Sequence, residues 1–433
     1  MTRAIRTLLI AGIAVCAPAA VLTAMKGWAR PSETDAKNIR YAAQNVPTVT
    51  VMHWMSSTGE ERALDVVRRA YVAEGGKWTE VPLPDVGSEQ SVATDRILGG
   101  KAPEIFQFSV GSRLRGLASQ GLVAAVPVSQ STLTSMIPPL VTVAARFDAR
   151  YVALPFDIMG ENWMFYNVKV LQAYGLEVPR TWSQFAVAAA ELKKHHMTPV
   201  ALGGEPWQER ILFNDVLLGV GGPAFYKRVY GLRDRRALLS PTMLKVFRIF
   251  GQLRSDVDPN SPGRSWIRST VLLEQQKAAF EFMGDWAKSQ IQSAGFSLGS
   301  DIGCALAPSR DIDYIIAVDA FAFSRADSQQ ALAGQRLFAR VLLSKSVQMN
   351  FNRLRGSIPI RRDLPTKGFD VCAKRAMEII QDPNKQLVSI GLFGLSGGLA
   401  GAVEDAVSEY WNDATMTADQ GMTLLSNAFG TFQ

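Results

Sequence analysis

Apolar and polar positions alternate along residues 48–120 in a way that predicts strands and helices in regular succession. The β-branched run at 48–54 is typical of a strand, and the apolar residues Leu64, Val67 and Tyr71 then recur at helical spacing. Strands at 48–54, 78–83 and 104–108 therefore alternate with helices that begin at residues 58, 91 and 113. This order predicts an α/β fold with a mostly parallel sheet and helical crossovers.

The same alternation continues through the rest of the chain. Thr181 and Gln184 predict a capping box at the start of a helix, as Thr58 and Glu61 do for the first helix. Further strands are predicted at 199–202, 278–283, 314–318 and 320–323, with an extended crossing at 356–359. Further helices are predicted at 225–229, 241–253, 272–276 and 327–349, and over most of the tail from 371 to 432.

Residues 154–167, LPFDIMGENWMFYN, organise this pattern. Two apolar runs flank a polar and aromatic break made by Glu161, Asn162 and Trp163. Gly160 before the break permits a backbone turn that other residues resist. A strand, a polar break and a second strand predict a crossing between two lobes, with the break facing the gap between them.

Composition and charge exclude some classes of partner. The chain has 433 residues, enough for two lobes with separate cores, and is 47% hydrophobic and 20% charged. The net charge of +7 includes Arg3, Arg6 and Lys26 near the N-terminus. The remaining charge is too small, and too evenly spread, to indicate nucleic-acid binding. We therefore expect no nucleic-acid partner.

The N-terminal segment at 1–29 is predicted to be a signal peptide, with cleavage after Ala24 or Ala29. Two arginines precede an apolar stretch too short for a membrane span. Residues 30–47 then form a linker, and the protein is exported to the periplasm. A lipid anchor on Cys16 is disfavoured by Val15 before it, and an uncleaved membrane anchor stays an alternative.

Two cysteines, Cys304 and Cys372, follow the predicted signal peptide. They could pair in an oxidising compartment. Two buried free thiols are an equal alternative, because the sequence does not fix the distance between them.

Catalytic motifs are weak. Ser396 lies in a G-x-S-x-G match at 394–398, yet His53, His195 and His196 all precede it, whereas the hydrolase order places His after Ser. Adjacent histidines without a nearby Cys or carboxylate pattern give little metal signal. The sequence predicts a protein that is not an enzyme and has no metal or cofactor. A hydrolase using Ser396, or a glycosidase using Glu161 and Asp285, is the alternative.

Polar residues and indoles recur together where predicted strands end. Parallel sheets bind ligands beyond the carboxyl ends of their strands, and sugars need flat apolar faces beside amides or carboxylates. A single Trp at such a place would more often be core, but four such places favour a ligand cleft. The residues at these junctions are Trp54, Gln107, Asn162, Trp163, Trp207, Gln208, Asp285 and Trp286.

Several motifs carry a resemblance over about residues 49–413. They read HWMSSTGEERAL (53–64), RILGGKAPEIFQF (96–108), ENWMFYNVKVLQAYGLEVPRTWSQF (161–185), ALGGEPWQE (201–209), FMGDWAK (282–288) and GSIPIR (356–361). The chain resembles the extracellular solute-binding proteins of sugar ABC importers, most closely the glucose/mannose-type proteins. The resemblance implies a two-lobed periplasmic binding protein of type II-like fold with three inter-lobe crossings and a ligand cleft.

The resemblance also implies the lobes and the site. Lobe 1 is 48–157 with 313–357, and lobe 2 is 158–312 with 358–433. The ligand-binding residues implied are Trp54, Glu60, Gln107, Asn162, Trp163, Trp207, Gln208, Asp285, Trp286 and Asp319. The chain departs from the pattern at Ser109 and at 391–395, where similar proteins carry His.

The function implied is that of a monomeric substrate-binding component. It binds a hexose-like sugar or small oligosaccharide and delivers it to a membrane ABC permease. The two missing histidines leave open a non-sugar ligand or a sensory partner.

Overall fold

The framework of the fold is a pair of β-sheets, joined by a third sheet of short strands. The computed structural model describes residues 46–83, 89–311, 313–389, 391, 395 and 397–431. The predicted signal peptide lies outside these residues, as does the predicted linker up to residue 45. Val46–Gln433 forms one compact unit.

Fifteen strands and seventeen α-helices are present in the described part of the chain. The strands are β1 Thr48–His53, β2 Lys77–Pro82, β3 Ile105–Ser109, β4 Arg146–Phe147, β5 Arg150–Tyr151, β6 Ala153–Pro155, β7 Asp157–Gly160, β8 Trp163–Asn167, β9 Thr198–Ala201, β10 Ala278–Met283, β11 Ile302–Leu306, β12 Tyr314–Ala317, β13 Asp319–Phe323, β14 Ile358–Pro359 and β15 Leu387–Val388. The helices are α1 Thr58–Ala73, α2 Glu89–Leu98, α3 Ser112–Ser119, α4 Gln130–Met136, α5 Pro139–Ala144, α6 Val168–Ala173, α7 Trp182–Lys194, α8 Pro206–Tyr226, α9 Arg235–Leu238, α10 Pro241–Leu253, α11 Trp266–Glu274, α12 Ala287–Ser293, α13 Gln329–Leu342, α14 Lys345–Arg355, α15 Val371–Gln381, α16 Gly397–Asn412 and α17 Ala418–Gly430.

The two larger sheets are mixed rather than mostly parallel. The first has the order β2-β1-β3-β13-β6, in which β1 is parallel to β2 and β3, and β13 is antiparallel to β3 and β6. The second has the order β11-β8-β10-β9, in which only β9 and β10 are parallel. The chain passes from β6 to β8 and from β11 to β13 through strands of the third sheet, not through helical crossovers, and these four strands take part in the antiparallel pairs.

The third sheet, β14-β7-β12-β15, holds the three predicted crossings side by side. β7 connects β6 of the first sheet to β8 of the second, and β12 leads back from β11 to β13. Gly160 ends β7 against the ring of Tyr314, where an added Cβ would lie 2.0 Å from the hydroxyl oxygen. Glycine at this position therefore lets β7 and β12 approach closely enough to pair.

The first helix starts one residue away from the predicted capping box. Ser57, not Thr58, is the N-cap, and its Oγ accepts a hydrogen bond from the Glu60 N–H at 3.3 Å. The Glu60 carboxylate returns the contact by accepting the Ser57 N–H at 3.0 Å. The predicted pair of Thr58 and Glu61 was wrong because the spacing fits both registers. The predicted box at Thr181 and Gln184 is confirmed.

Two apolar clusters form the core. One surrounds the first sheet and includes Phe106, Phe321 and Phe338. The other packs α8 against α10 and α16, and α17 against both of these, through Phe213, Phe247 and other buried rings. The tail divides between them, because α15 joins the first cluster whereas α16 and α17 join the second. The lobe limits stay a prediction.

Cys304 on β11 and Cys372 on α15 form a disulfide, with Cα atoms 6.1 Å apart. The bond ties α15 to the second sheet across a sequence separation of 68 residues. It resolves the alternative that the sequence left open. None of the helices in the described part of the chain combines the length and apolarity needed to span a membrane.

Candidate ligand-binding cavity

A cavity of about 500 Å³ opens where β1, β3 and β13 meet the starts of several helices. Four indoles line it, from Trp54, Trp207, Trp266 and Trp286. Each lies at a junction: Trp54 follows β1, Trp207 and Trp266 lie in the first turns of α8 and α11, and Trp286 precedes α12. The rings of Trp207 and Trp286 lie 5.9 Å apart at 55°. The cavity therefore offers several flat apolar faces.

Asp319, the first residue of β13, has a carboxylate fixed from both sides. Its Oδ1 accepts a hydrogen bond from the Ser109 hydroxyl at 2.8 Å, and its Oδ2 accepts one from Gln107 Nε2 at 3.0 Å. Gln90 in turn donates to the Ser109 hydroxyl at 3.3 Å. Burial raises the pKa of Asp319, while nearby Arg355 opposes the rise. Asp319, Ser109 and Gln90 all line the cavity.

One guanidinium, that of Arg355 at the end of α14, faces three carboxylates. It pairs directly with Glu60, and its Nε lies 3.9 Å from Asp157 Oδ2 and its Nη2 4.0 Å from Asp319 Oδ2. Burial, together with the charge of Asp319, raises the pKa of Asp157 well above its ordinary value. A single buried cation thus holds together carboxylates from α1, β7 and β13.

A second polar group lines the cavity between the β7–β8 turn and two helices. Arg210 on α8 donates from Nε to Glu404 Oε2 on α16 at 2.9 Å. Glu161 follows β7, where its N–H donates to the Ile315 carbonyl at 2.9 Å. Burial raises the pKa of Glu161, and the charge of Arg210 opposes the rise.

Ten residues were predicted to bind ligand, and the structure brings half of them to the cavity wall. Trp54, Glu60, Trp207, Trp286 and Asp319 line it. Gln107, Asn162, Trp163, Gln208 and Asp285 do not, and each is at most 3% exposed. Direct contact with a ligand is therefore a proposal for the first five, and a supporting role behind the wall is a proposal for the other five.

The buried amides support the wall from behind. Asn162 donates to the Asp313 carbonyl at 3.0 Å and accepts the Ile315 N–H at 2.9 Å, which fixes the turn beside β12. Gln208 donates to Glu205 Oε2 at 2.7 Å. The same oxygen accepts the Trp207 indole N–H at 3.0 Å, so Gln208 helps to orient that ring.

Asp285 and Trp163 lie in the interior beneath the third sheet. Asp285 accepts the Gly160 N–H at 2.6 Å and pairs with buried Lys288 at 2.6 Å. The Trp163 ring packs edge-on against Tyr314, with centroids 5.8 Å apart. Both were predicted to face the ligand because they follow strand-like runs, but their side chains point into the packed interface between β7, β8 and α12.

Trp266, Arg210, Arg355 and Glu404 line the cavity and were missed. Arg210 lies three residues after Trp207 on one face of α8, a spacing that could have revealed it. Arg355, Trp266 and Glu404 are each far in sequence from the other site residues and carry no local signal.

The two departures from the family pattern also lie at this cavity. Ser109 supplies a hydroxyl to Asp319, as described above. Gly391 lines the wall and approaches Gly111, where an added Cβ would lie 3.1 Å from the Gly391 oxygen. Residues 392–394 and Ser396 lie outside the described residues. In the part of the chain that the structure describes, no group of three or more His, Cys, Asp or Glu side chains could hold a metal ion.

Known proteins match the chain over most of its length. The family described as bacterial extracellular solute-binding protein matches residues 70–349. A probable sugar-binding periplasmic protein of Brucella suis biovar 1 (strain 1330) is 31% identical over 385 residues, which cover 87% of this chain and 91% of that protein. A probable sugar-binding periplasmic protein of Mesorhizobium japonicum (strain LMG 29417 / CECT 9101 / MAFF 303099) is 30% identical over 395 residues, covering 89% and 94%.

A solved structure shares the fold. A chitin oligosaccharide binding protein superposes with a TM-score of 0.77 at 19% identity, covering 89% of this chain and 99% of that one. Two sheets, a joining sheet of crossing strands and a cavity beside it define the class of two-lobed periplasmic solute-binding proteins. The chain belongs to the bacterial extracellular solute-binding protein family.

Proposed function

We propose that this chain is the periplasmic substrate-binding component of an ABC importer. It binds a sugar in the cavity and delivers it to a membrane permease. The observation that carries the proposal is the meeting of four indoles with fixed carboxylates and guanidiniums at one cavity wall. Indole faces cover the C–H faces of a sugar ring at little entropic cost, and charged groups accept or donate hydrogen bonds to its hydroxyls.

Binding rather than turnover is favoured by the placement of the candidate catalytic groups. A glycosidase needs two carboxyl groups that flank one bond. Glu161 lines the cavity, but Asp285 is fully buried and paired with Lys288. Ser396 lies outside the described residues, and no His follows it in the sequence. These features support a role without catalysis, as does the chain's membership of a family of binding proteins.

Ligand binding is proposed to act on the crossings. A sugar in contact with β13 from lobe 1 and α8 from lobe 2 stabilises the closed arrangement over the open one. β7, β12 and β14 are the segments whose backbone would absorb that motion. The closed monomer then presents the surface that a permease recognises, after export by the predicted signal peptide.

A thermal-shift screen of the mature chain tests this function. The panel contains monosaccharides, disaccharides, trisaccharides, polyols and amino acids. A ligand at about 100 times its Kd adds roughly 2.7 kcal/mol to the free energy of unfolding, so a binding sugar raises Tm clearly. A response to amino acids or polyols alone would contradict sugar binding and support a non-sugar ligand.

A further inference from the structure

The cavity wall carries two groups of charged side chains, one around Asp319 and one around Glu161. The first, here called the Asp319 cluster, consists of Asp319, Ser109, Glu60 and Arg355, which come from strand ends of the first sheet and from α1 and α14. The second, the Glu161 cluster, consists of Glu161, Arg210 and Glu404. These come from the β7–β8 turn, α8 and α16.

The two clusters differ in whether their carboxylate oxygens already accept hydrogen bonds from the protein. Each Asp319 oxygen already accepts one hydrogen bond, and Glu60 is held by the Ser57 N–H and Arg355. Glu161 is different, because no described residue donates a hydrogen bond to its carboxylate. It lies at the cavity wall, where the charge of Arg210 opposes the rise that burial causes in its pKa. A carboxylate in this state is a strong acceptor for ligand hydroxyls.

An aromatic face accompanies the Glu161 cluster. Trp207 and Arg210 lie three residues apart on α8, so both project from the same side of the helix. Trp286 packs beside Trp207. These indoles and Arg210 therefore offer an apolar face and a hydrogen-bond donor on one side of α8.

Resting on the proposed function, we propose that the ligand is an uncharged oligosaccharide of at least two rings. One ring is bound by the Asp319 cluster and the next by the Glu161 cluster. The cavity volume of about 500 Å³ lies within the roughly 300–1,000 Å³ that is typical of pockets for drug-sized ligands, which are larger than a single sugar ring.

The charges at the wall favour a neutral ligand over an acidic one. Among the described residues, five carboxylates and three guanidiniums line the cavity. The carboxylates belong to Glu60, Glu161, Asp319, Glu404 and Asp405, and the guanidiniums to Arg113, Arg210 and Arg355. A uronic acid would bring a further negative charge into this excess, where like charges repel strongly at low dielectric.

Calorimetric titration with matched sugars tests the proposal. The probes are glucose, mannose, galactose and xylose, with their α-1,4- and β-1,4-linked disaccharides and trisaccharides, on the wild type and on Glu161→Gln, Asp319→Asn and Glu177→Gln. We expect a disaccharide to bind about tenfold tighter than its monosaccharide. Glu161→Gln should weaken the longer sugar about tenfold and the monosaccharide little, since a charge-assisted hydrogen bond becomes a neutral one.

The other variants make the outcomes separable. Asp319→Asn should weaken both lengths of sugar alike, and Glu177→Gln, an exposed carboxylate outside the cavity, should change neither. Equal affinity for a monosaccharide and its longer forms overturns the proposal while leaving sugar binding intact. So does an equal loss for both lengths in Glu161→Gln. A chain that binds none of these sugars contradicts the proposed function itself.

Discussion

The side-chain amide of Gln107 donates a hydrogen bond from Nε2 to the Asp319 carboxylate at 3.0 Å. Its Oε1 accepts the backbone N–H of Trp54 at 3.2 Å. Gln107 is 1% exposed and does not line the cavity. It joins the two lining residues Trp54 and Asp319 through one rigid group. Gln107 is therefore a positioning residue, whose effect on ligand binding passes through the residues that it holds.

Replacing Gln107 by Leu should weaken sugar binding about tenfold, because Asp319 loses a partner and its orientation. Calorimetry on Gln107→Leu, Asp319→Asn and the double variant measures the coupling between the two residues. If Gln107 acts through Asp319, the losses in the double variant are less than the sum of the single ones. Fully additive losses would contradict the positioning role, and Gln120→Leu, at the exposed residue that follows α3, is the control.

Trp207 and Trp163 form a matched pair of indoles, one at the cavity wall and one fully buried. Trp207→Ala should weaken sugar binding about tenfold or more with a small effect on Tm, since one aromatic face is lost. Trp163→Ala should instead lower the free energy of unfolding by about 3–5 kcal/mol through the cavity it leaves. Calorimetry and urea unfolding of both variants check this, and a stable Trp163→Ala with reduced affinity would restore the sequence-based interpretation.

The limits of the sequence reasoning are visible in these two residues. Both indoles have a polar side chain directly beside them, Asn162 before Trp163 and Gln208 after Trp207, and sequence spacing does not tell which side of the chain each faces. Trp207 faces the cavity because it lies in the first turn of α8, whereas Trp163 is enclosed because β8 is a central strand flanked by β10 and β11. Strand order is set by long-range pairing, which a single sequence does not display.

Local signals predicted the elements well, and distant pairings poorly. The strands at β1, β3 and β10 follow from β-branched and apolar runs, and they lie within a residue or two of their predicted limits. Arg355 carries no comparable signal, because its partners Glu60 and Asp157 are about two hundred residues or more away in sequence. Its role depends on three segments that meet only in the folded chain.

Two buried carboxyl groups, those of Glu281 and Glu274, make stability depend on pH above the ordinary pKa of a glutamate. Burial raises the pKa of Glu281 from 4.5 to about 8 and that of Glu274 to about 7. The folded state therefore binds more protons than the unfolded state between about 4.5 and 8, and stability falls as pH rises through that window. We therefore expect Tm to be lower at pH 8.5 than at pH 6. At pH 6 both groups still hold their protons in the folded state, whereas in the unfolded state they have lost them.

Glu281→Gln checks the origin of this slope. Glutamine keeps the shape and can still bond to Thr270, whose hydroxyl donates to Glu281 Oε1 at 2.9 Å. The variant should lose part of the decrease in Tm between the two pH values, whereas the exposed Glu177→Gln should retain it. An unchanged slope in Glu281→Gln would assign the pH dependence to other groups.

The disulfide between Cys304 and Cys372 should contribute about 2–4 kcal/mol to the free energy of unfolding, because it restricts the unfolded chain over a separation of 68 residues. Urea unfolding of the double variant Cys304→Ser, Cys372→Ser, beside the wild type with and without reductant, measures it. Reductant should bring the wild type to the stability of the variant and leave the variant unchanged. Equal stability of oxidised and reduced wild type would contradict a structural role for the bond.

Removal of Arg355 should lower the free energy of unfolding strongly, since Arg355 is 2% exposed and faces three carboxylates. Arg355→Met keeps much of the apolar stem and leaves Glu60, Asp157 and Asp319 without their shared cation. Breaking a buried ion pair in this way lowers the free energy of unfolding by about 3–5 kcal/mol. The exposed pair of Arg340 and Glu74 contributes at most about 1 kcal/mol. Arg340→Met is therefore the matched control.

The decrease in the free energy of unfolding caused by Arg355→Met should itself depend on pH. The guanidinium opposes the rise that burial causes in the pKa of Asp157 and Asp319, so its removal raises both pKa values further. The folded variant then binds more protons than the folded wild type, and its deficit in stability grows as pH rises. Urea unfolding at pH 5 and pH 8 should show the larger deficit at pH 8. A deficit that is equal at both pH values would mean that lost packing, and not uncompensated charge, explains the effect.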